Sequence, residues 1–202
     1  MKNYLVIDCE TSGIDPFANR MITFSAAIYQ ENDDANKPRE KFNYCFTDWK
    51  EGQVDPSALK VNNIRLTADN KKFKNTNFFE GTTQEFVQSF SDWVLDLHYP
   101  CDYLLGYNIN FDITFLKKAF DDSNIKINNL LPYKVIDPFI IATSLIACGS
   151  FPQVKSLSAK SMYDLFAINS NGIHNADVDV ALTWELWQKM SKCFSGFSIF
   201  KN

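Results

Sequence analysis

The stretch that decides the fold is residues 4–13, YLVIDCETSG, in which an apolar run leads directly into two acids. The run Tyr4–Ile7 is rich in β-favouring side chains and predicts a buried strand. Because side chains alternate along a strand, Asp8 and Glu10 are expected to project from the same face. Two neighbouring carboxylates repel each other, and a hard divalent cation such as Mg²⁺ or Mn²⁺ would relieve that repulsion. The same short pattern also fits ordinary surface acids on an edge strand.

Length and composition indicate one compact domain. The chain has 202 residues, of which 46% are apolar, enough for the core of a single domain over residues 1–202. The sequence has no low-complexity linker or internal repeat to divide it. The formal net charge of −4 gives no sign of nucleic-acid binding. It does not exclude such binding, because a metal-dependent phosphate site needs clustered carboxylates.

The five cysteines are scattered, without a C-x-x-C pair. An odd and unpatterned set favours reduced thiols and a cytoplasmic location. No secretory signal is expected, because the apolar run after Met1 is short and Asp8 interrupts it. The longest apolar stretch, residues 139–148, is about half a membrane span, so no membrane partner is predicted.

Apolar patterning predicts an antiparallel meander of three strands, followed by alternating helices and strands. The strands are expected at residues 4–7, 21–30, 40–47, 103–107 and 134–136. Helices are expected at residues 55–61, 82–97, 111–120, 138–148, 155–166 and 176–192. A long exposed loop is expected at residues 67–81. This order predicts a three-layer α/β domain with a mixed five-stranded sheet.

A third acid follows the fourth predicted strand. In the segment GYNINFDITFL, residues 106–116, Asp112 falls in the first turn of a predicted helix. A carboxylate placed where a strand ends and a helix begins can face a metal at the edge of the sheet. Capping of the helix or complementation of its dipole is the alternative.

The third segment is IHNADVDVALT, residues 173–183, which joins a loop histidine to a helix-borne acid. The spacing between His174 and Asp179 sets an imidazole above a carboxylate in the first turns of the last helix. Imidazole has an ordinary pKa of about 6.5, which suits it to taking a proton from water near neutrality. A solvated loop histidine beside acids at a helix N-terminus is the alternative.

Together these segments resemble the motifs of the DEDDh family of 3′→5′ exonucleases, which includes the proofreading subunit of bacterial DNA polymerase and ribonuclease T. The first segment is close to D-x-E-T-x-G, the second to H-N-x-x-F-D-x-x-F-L and the third to H-x-A-x-x-D. Their order and spacing fit as well, over nearly the full length. Three positions depart from the family pattern, and none of them removes an acid or the histidine: Tyr107 for His, Asn63 for Gly and Val180 for Ala.

The resemblance implies a ribonuclease-H-like fold and a two-metal mechanism. Two divalent ions, Mg²⁺ or Mn²⁺, would be held by Asp8, Glu10, Asp112 and Asp179, with Asp8 as the bridging ligand. His174 and Glu10 would be the catalytic residues, with His174 taking the proton from a metal-bound water. Attack on the last phosphodiester would release a nucleoside 5′-monophosphate from a 3′ end.

The resemblance also implies residues that approach the substrate, the 3′ end of single-stranded DNA or RNA, with DNA slightly favoured. Thr11 and Asn108 match positions that lie near the terminal nucleotide or its backbone. Phe111 and Val61 are candidates for packing against bases, because single strands are held by stacking as well as by charge. Packing in the core is the alternative for Phe111.

Other functions stay open at this point. The chain would be a catalytically inactive nucleic-acid-binding module if the fold had lost its chemistry, but the intact acids argue against that. A polymerase-associated subunit is a further alternative, with the tail at residues 194–202 as a docking segment. The choice between DNA and RNA depends on contacts to the 2′-OH, which the sequence does not reveal.

Overall fold

A mixed sheet forms the middle layer of the protein, as a computed structural model shows. The model describes residues 1–48, 50, 55, 57–58, 78–127 and 129–194. Within these residues the sheet has six strands, in the spatial order β4-β3-β2-β1-β5-β6. The strands are β1 (Asn3–Thr11), β2 (Met21–Gln30), β3 (Glu40–Phe46), β4 (Phe79–Gly81), β5 (Tyr103–Leu105) and β6 (Val135–Ile136).

Helices cover both faces of the sheet, which gives three layers. Helices α1 and α2 pack on one face, against β3 and β1, and α5 packs on the other face, against β1 and β2. Helices α3 and α4 lie against α5. The helices are α1 (Thr83–Leu95), α2 (Asn110–Asp122), α3 (Pro138–Ala147), α4 (Ala159–Leu165) and α5 (Ala176–Phe194).

Alternation along β1 decides which side chains face each layer. The odd-numbered residues join the apolar cluster with α1 and α2; they are Leu5, Ile7 and Cys9. Tyr4 and Val6 join the cluster with α5. Asp8 and Glu10 continue this even-numbered series. The face that packs on α5 therefore changes from apolar to acidic as β1 approaches its end.

The predicted meander is confirmed, whereas the predicted strand number is wrong by one. β1 pairs antiparallel with β2, and β2 pairs antiparallel with β3. The missed strand is β4, Phe79–Gly81, which pairs in parallel with β3. It lies at the end of the stretch predicted to be an exposed loop, residues 67–81. A strand of three residues is too short to show an alternating pattern in the sequence.

One predicted helix begins later than expected, and another lies mostly outside the described residues. The helix predicted at residues 155–166 begins later, at Ala159, because the hydroxyl of Ser158 accepts the N–H of Ser161 and caps its first turn. The helix predicted at residues 55–61 falls mostly outside the described residues, although 57–58 are helical. No helix in the described part of the chain is long and apolar enough to cross a membrane.

The packing of α5 on the sheet centres on Trp184, which generates a stability prediction. Its ring stacks on Tyr29 at 4.9 Å, and its indole N–H donates to the carbonyl of Asp33 at 2.9 Å. The change Trp184→Ala should lower the free energy of unfolding by about 3–5 kcal/mol, because it leaves a large cavity and removes one of the two hydrogen bonds to the carbonyl of Asp33. Urea denaturation measures the change. Tyr133→Ala, at an 86% exposed position, should stay within about 0.5 kcal/mol of wild type; equal effects of the two variants would contradict this packing.

Candidate active site

Three carboxylates converge where β1 meets the first turn of α5. Asp8, Glu10 and Asp179 each place one oxygen atom within 4.8 Å of the others. Asp8 and Glu10 come from alternate positions of one strand, and Asp179 comes from the helix that covers the same face. This all-oxygen donor set suits a hard divalent cation such as Mg²⁺ or Mn²⁺.

Asp112 lies beside this group but outside it, and the backbone of β1 fixes its direction. Its Oδ1 accepts the N–H of Cys9 at 2.8 Å. β5 pairs with β1 only as far as Val6, so the N–H of Cys9 lies beyond the end of that pairing. The buried carboxylate thus takes the place of a missing strand neighbour.

Asp179 also uses a carboxylate oxygen to accept backbone N–H groups. Its Oδ2 accepts the N–H of His174 at 2.8 Å and that of Asn175 at 3.2 Å. The carboxylate therefore ties the loop before α5 to the helix while it faces the other acids. His174 is exposed and has a left-handed backbone, with φ at 67°, a conformation that is uncommon for residues other than glycine. The hydrogen bond to Asp179 holds this loop in place.

Burial raises the pKa of all four acids, and repulsion by the neighbouring acids adds to it at Asp8 and Glu10. Burial, followed by the charges of Asp112, Asp179 and Glu10, raises the pKa of Asp8 well above its ordinary value. Burial and then Asp179 and Asp112 raise the pKa of Glu10 to about 8. Burial raises the pKa of Asp112 to about 7 and that of Asp179 to about 6, the latter against the opposing effect of His174. Without a cation, the four groups do not all ionise at neutral pH.

The residues predicted to approach the substrate fall in different environments. Thr11 is buried, and its hydroxyl donates to the carbonyl of Gly13 at 2.7 Å. Asn108 is exposed and has a left-handed φ of 53°, which asparagine tolerates well. Phe111 is partly buried against the core, with its ring 5.0 Å from that of Phe115. Val61 lies outside the described residues.

A further acid supports the site in a way that sequence reasoning missed. Asp137 caps α3, as its position before Pro138 predicts, by accepting the N–H of Phe139 at 2.9 Å. The same carboxylate accepts the N–H of Asn108 at 2.9 Å and that of Ile109 at 3.2 Å. It therefore holds the loop that leads into α2 and Asp112. The signal available in the sequence was its place at the end of β6, the neighbour of β5.

Comparison with known proteins agrees with this geometry. A family model described as exonuclease, RNase_T, matches residues 5–187. The chain belongs to this exonuclease family. This membership and the relatives that follow confirm the resemblance to the DEDDh 3′→5′ exonucleases.

Among characterised relatives, the 3′-5′ exonuclease DinG of Staphylococcus aureus strain USA300 is 25% identical over 186 residues. The match covers 92% of this chain and 18% of DinG, so the chain spans about a fifth of that relative's length.

Solved structures of exonuclease I share the fold. One superposes with a TM-score of 0.75 at 17% identity, over 95% of this chain and 41% of the other. A zinc-bound complex of Escherichia coli exonuclease I with single-stranded DNA also gives 0.75, at 16% identity, over 96% of this chain and 41% of the other. These likenesses confirm the predicted ribonuclease-H-like α/β fold.

The raised pKa values predict how the metal-free protein responds to pH. Acids whose pKa is higher in the folded than in the unfolded state stabilise the fold at low pH, and that stability is lost as pH rises. In EDTA, the melting temperature should therefore decrease as the pH rises from about 4 to about 8. The lower limit is the ordinary pKa of a carboxyl group, and the upper limit is the raised pKa of Glu10. Differential scanning calorimetry across this range measures the loss.

Removing one charge should reverse part of this loss. At pH 8 in EDTA, Asp8→Asn should raise the melting temperature by at least ~2 °C, which corresponds to about 1 kcal/mol in a domain of this size. At pH 4 the variant should match wild type. Asp121→Asn, a change at an exposed acid of α2, should have little effect at either pH. A lower melting temperature for Asp8→Asn at pH 8 would show that these acids do not repel each other.

Proposed function

We propose that the chain is a metal-dependent 3′→5′ exonuclease that hydrolyses the ends of single-stranded nucleic acid to nucleoside 5′-monophosphates. The observation that carries this proposal is the convergence of Asp8, Glu10 and Asp179 within 4.8 Å at the end of β1. Asp112 lies close enough to raise the pKa of Asp8 and of Glu10 through its charge. Membership of the exonuclease family supports the same reaction.

The four acids would hold two divalent ions, Mg²⁺ or Mn²⁺, with Asp8 as the shared ligand. Such ions lower the pKa of a bound water and neutralise charge on the attacking and leaving oxygens. The fold orients the ligand side chains before any ion binds. Asp112 and Asp179 each use one oxygen to accept backbone N–H groups, which sets the direction of the other oxygen. Asp8 and Glu10 are fixed by a strand paired along its length with β2.

His174 is proposed as the general base, and Glu10 as a further catalytic residue that is also a metal ligand. The histidine lies in the exposed loop that Asp179 ties to α5, so its ring is open to solvent and next to a metal ligand. From that position the imidazole can take the proton of the attacking water and pass it to solvent.

Single-stranded DNA is the proposed substrate, and RNA stays an alternative. Structures of exonuclease I, which share this fold, were solved with single-stranded DNA oligonucleotides. Asn108 and the backbone of Thr11 are proposed to meet the terminal nucleotide, and Phe111 to pack against a base with the part of its ring that the core leaves exposed. The proposed roles of Val61 and of a polymerase partner stay predictions from the sequence.

A catalytically inactive binding module is disfavoured, because it would gain nothing from four mutually repelling acids.

The cytoplasmic location and the single domain stay proposals. The five cysteines are free, which agrees with a reducing compartment such as the cytoplasm. A single exonuclease domain over residues 1–202 is proposed as well.

The metal assignment predicts that neutralising one ligand abolishes hydrolysis. With 5′-labelled single-stranded DNA and Mg²⁺, wild type should produce a ladder that shortens from the 3′ end. Asp8→Asn and Asp179→Asn should leave the strand intact; asparagine at 179 keeps an oxygen that can still accept the N–H of His174. EDTA should stop the wild-type reaction, and Mn²⁺ should restore it. Near-normal laddering by either variant, beside an unaffected Asp121→Asn control, would refute the ligand set.

The general-base assignment predicts a partial loss. His174→Ala should reduce the single-turnover rate at saturating Mg²⁺ by ~10²–10⁴-fold, the usual contribution of a general base. The matched control is His98→Ala, the other histidine of the chain, which is exposed beyond the end of α1. His98→Ala should retain the wild-type rate. An unchanged rate for His174→Ala would mean that another group accepts the proton.

A further inference from the structure

An ion pair joins the first turn of α5 to β3, which lies two strands away from β1 in the sheet. Lys41, near the start of β3, contacts the Oδ1 of Asp177 through its Nζ. Three of the other ion pairs among the described residues lie within single helices, and the Arg39–Asp33 pair lies where the β2–β3 connection ends. The Lys41–Asp177 pair instead links a helix to a strand. Asp177 lies two residues before Asp179.

The sheet surface next to this pair is polar. Asp8, Ser25 and Asn43 lie directly opposite one another across β1, β2 and β3. Residues that face each other in antiparallel strands share one face of the sheet, so the row points toward α5. Ser25 and Asn43 are buried, and Ser25 Oγ and Asn43 Oδ1 make no hydrogen bond within the described residues. The row of Asp8, Ser25 and Asn43 therefore extends from the candidate metal site across β2 to β3.

Apolar contacts between α5 and the sheet lie further along the helix. The buried residues of α5 in the cluster shared with the sheet are Val180 and Trp184. Asp177 and Asp179 come before these two residues, in the first turn of the helix. The Oδ1 of Asp177 is buried and lies in contact with the Nζ of Lys41. The backbone N–H of Asp177 is held by the side chain of Asn175 at 3.1 Å.

We propose that Lys41 and Asp177 are positioning residues, whose contact sets the first turn of α5 over the sheet and so fixes the spacing of Asp179 from Asp8 and Glu10. The inference rests on the proposed function, because it concerns the same metal ligands. Residues that orient metal ligands typically change metal affinity about 10- to 100-fold when they are lost. An ion pair at this level of exposure, with side chains 38% and 22% exposed, adds little to global stability.

A purely electrostatic role makes a different prediction. If only charge mattered, Lys41→Met would leave an extra negative charge near the site and tighten cation binding, whereas Asp177→Asn would leave an extra positive charge and weaken it. The double variant Lys41→Met/Asp177→Asn removes one charge of each sign, so electrostatics alone predicts wild-type affinity. A positioning role predicts weaker binding in the double variant, because the anchor is gone.

The test is a calorimetric titration of the full chain with Mn²⁺. The double variant should bind with a Kd raised about 10-fold, while its melting temperature stays within about 4 °C of wild type. The single variant Lys41→Arg keeps the positive charge and the contact with Asp177, so it should retain most of the wild-type affinity for Mn²⁺. The matched control is Lys160→Met/Asp164→Asn, which removes an exposed ion pair of α4 and should leave the Kd unchanged.

The outcomes separate this inference from the proposed function. If wild type binds Mn²⁺ and the double variant binds it equally well, the positioning role is refuted while the metal site stands. The positioning role is also refuted if the control pair weakens binding as much as Lys41 and Asp177 do. If wild type binds no Mn²⁺, both the inference and the proposed function fail.

Discussion

Four carboxylates meet at the end of β1, and their charges set the main requirement on the elements that surround them. Asp8, Glu10, Asp112 and Asp179 come from three separate elements and meet in a largely buried place. Burial raises the pKa of each, and the neighbouring charges raise it further at Asp8 and Glu10. The fold must therefore hold these groups together against their own charge until a cation neutralises them. The sheet and the two helices that supply Asp112 and Asp179 do this through backbone hydrogen bonds.

Backbone donors are the means by which the fold resists this repulsion. Asp112 accepts the N–H that β1 cannot pair once β5 has ended, and Asp179 accepts two N–H groups in the loop before α5. In both, one oxygen stabilises the local structure by accepting backbone N–H groups. Asp137 extends the same scheme outward, because it holds the loop that delivers Asp112. The acids that favour metal binding thus also stabilise the turns that present them.

Sequence reasoning predicted those parts of the fold that local periodicity determines. Alternation along β1 was sufficient to place Asp8 and Glu10 on one face, and helix patterning placed Asp112 and Asp179 in first turns. It missed β4, because three residues carry no periodic signal. It also missed contacts between distant parts of the chain. Examples are the hydrogen bond from the N–H of Asn108 to Asp137 and the ion pair of Lys41 with Asp177. Such contacts depend on the completed fold, which no local pattern specifies.

The most direct test of the central claim is to locate Mn²⁺ by anomalous diffraction from crystals of the wild-type chain soaked in the metal. The account predicts peaks between the carboxylates of Asp8, Glu10 and Asp179, with Asp112 turned toward them through its second oxygen. It also predicts that crystals of Asp8→Asn lose at least one peak. Ordered Mn²⁺ found only elsewhere, with these four acids unliganded, would contradict the assignment of this cluster as the catalytic centre.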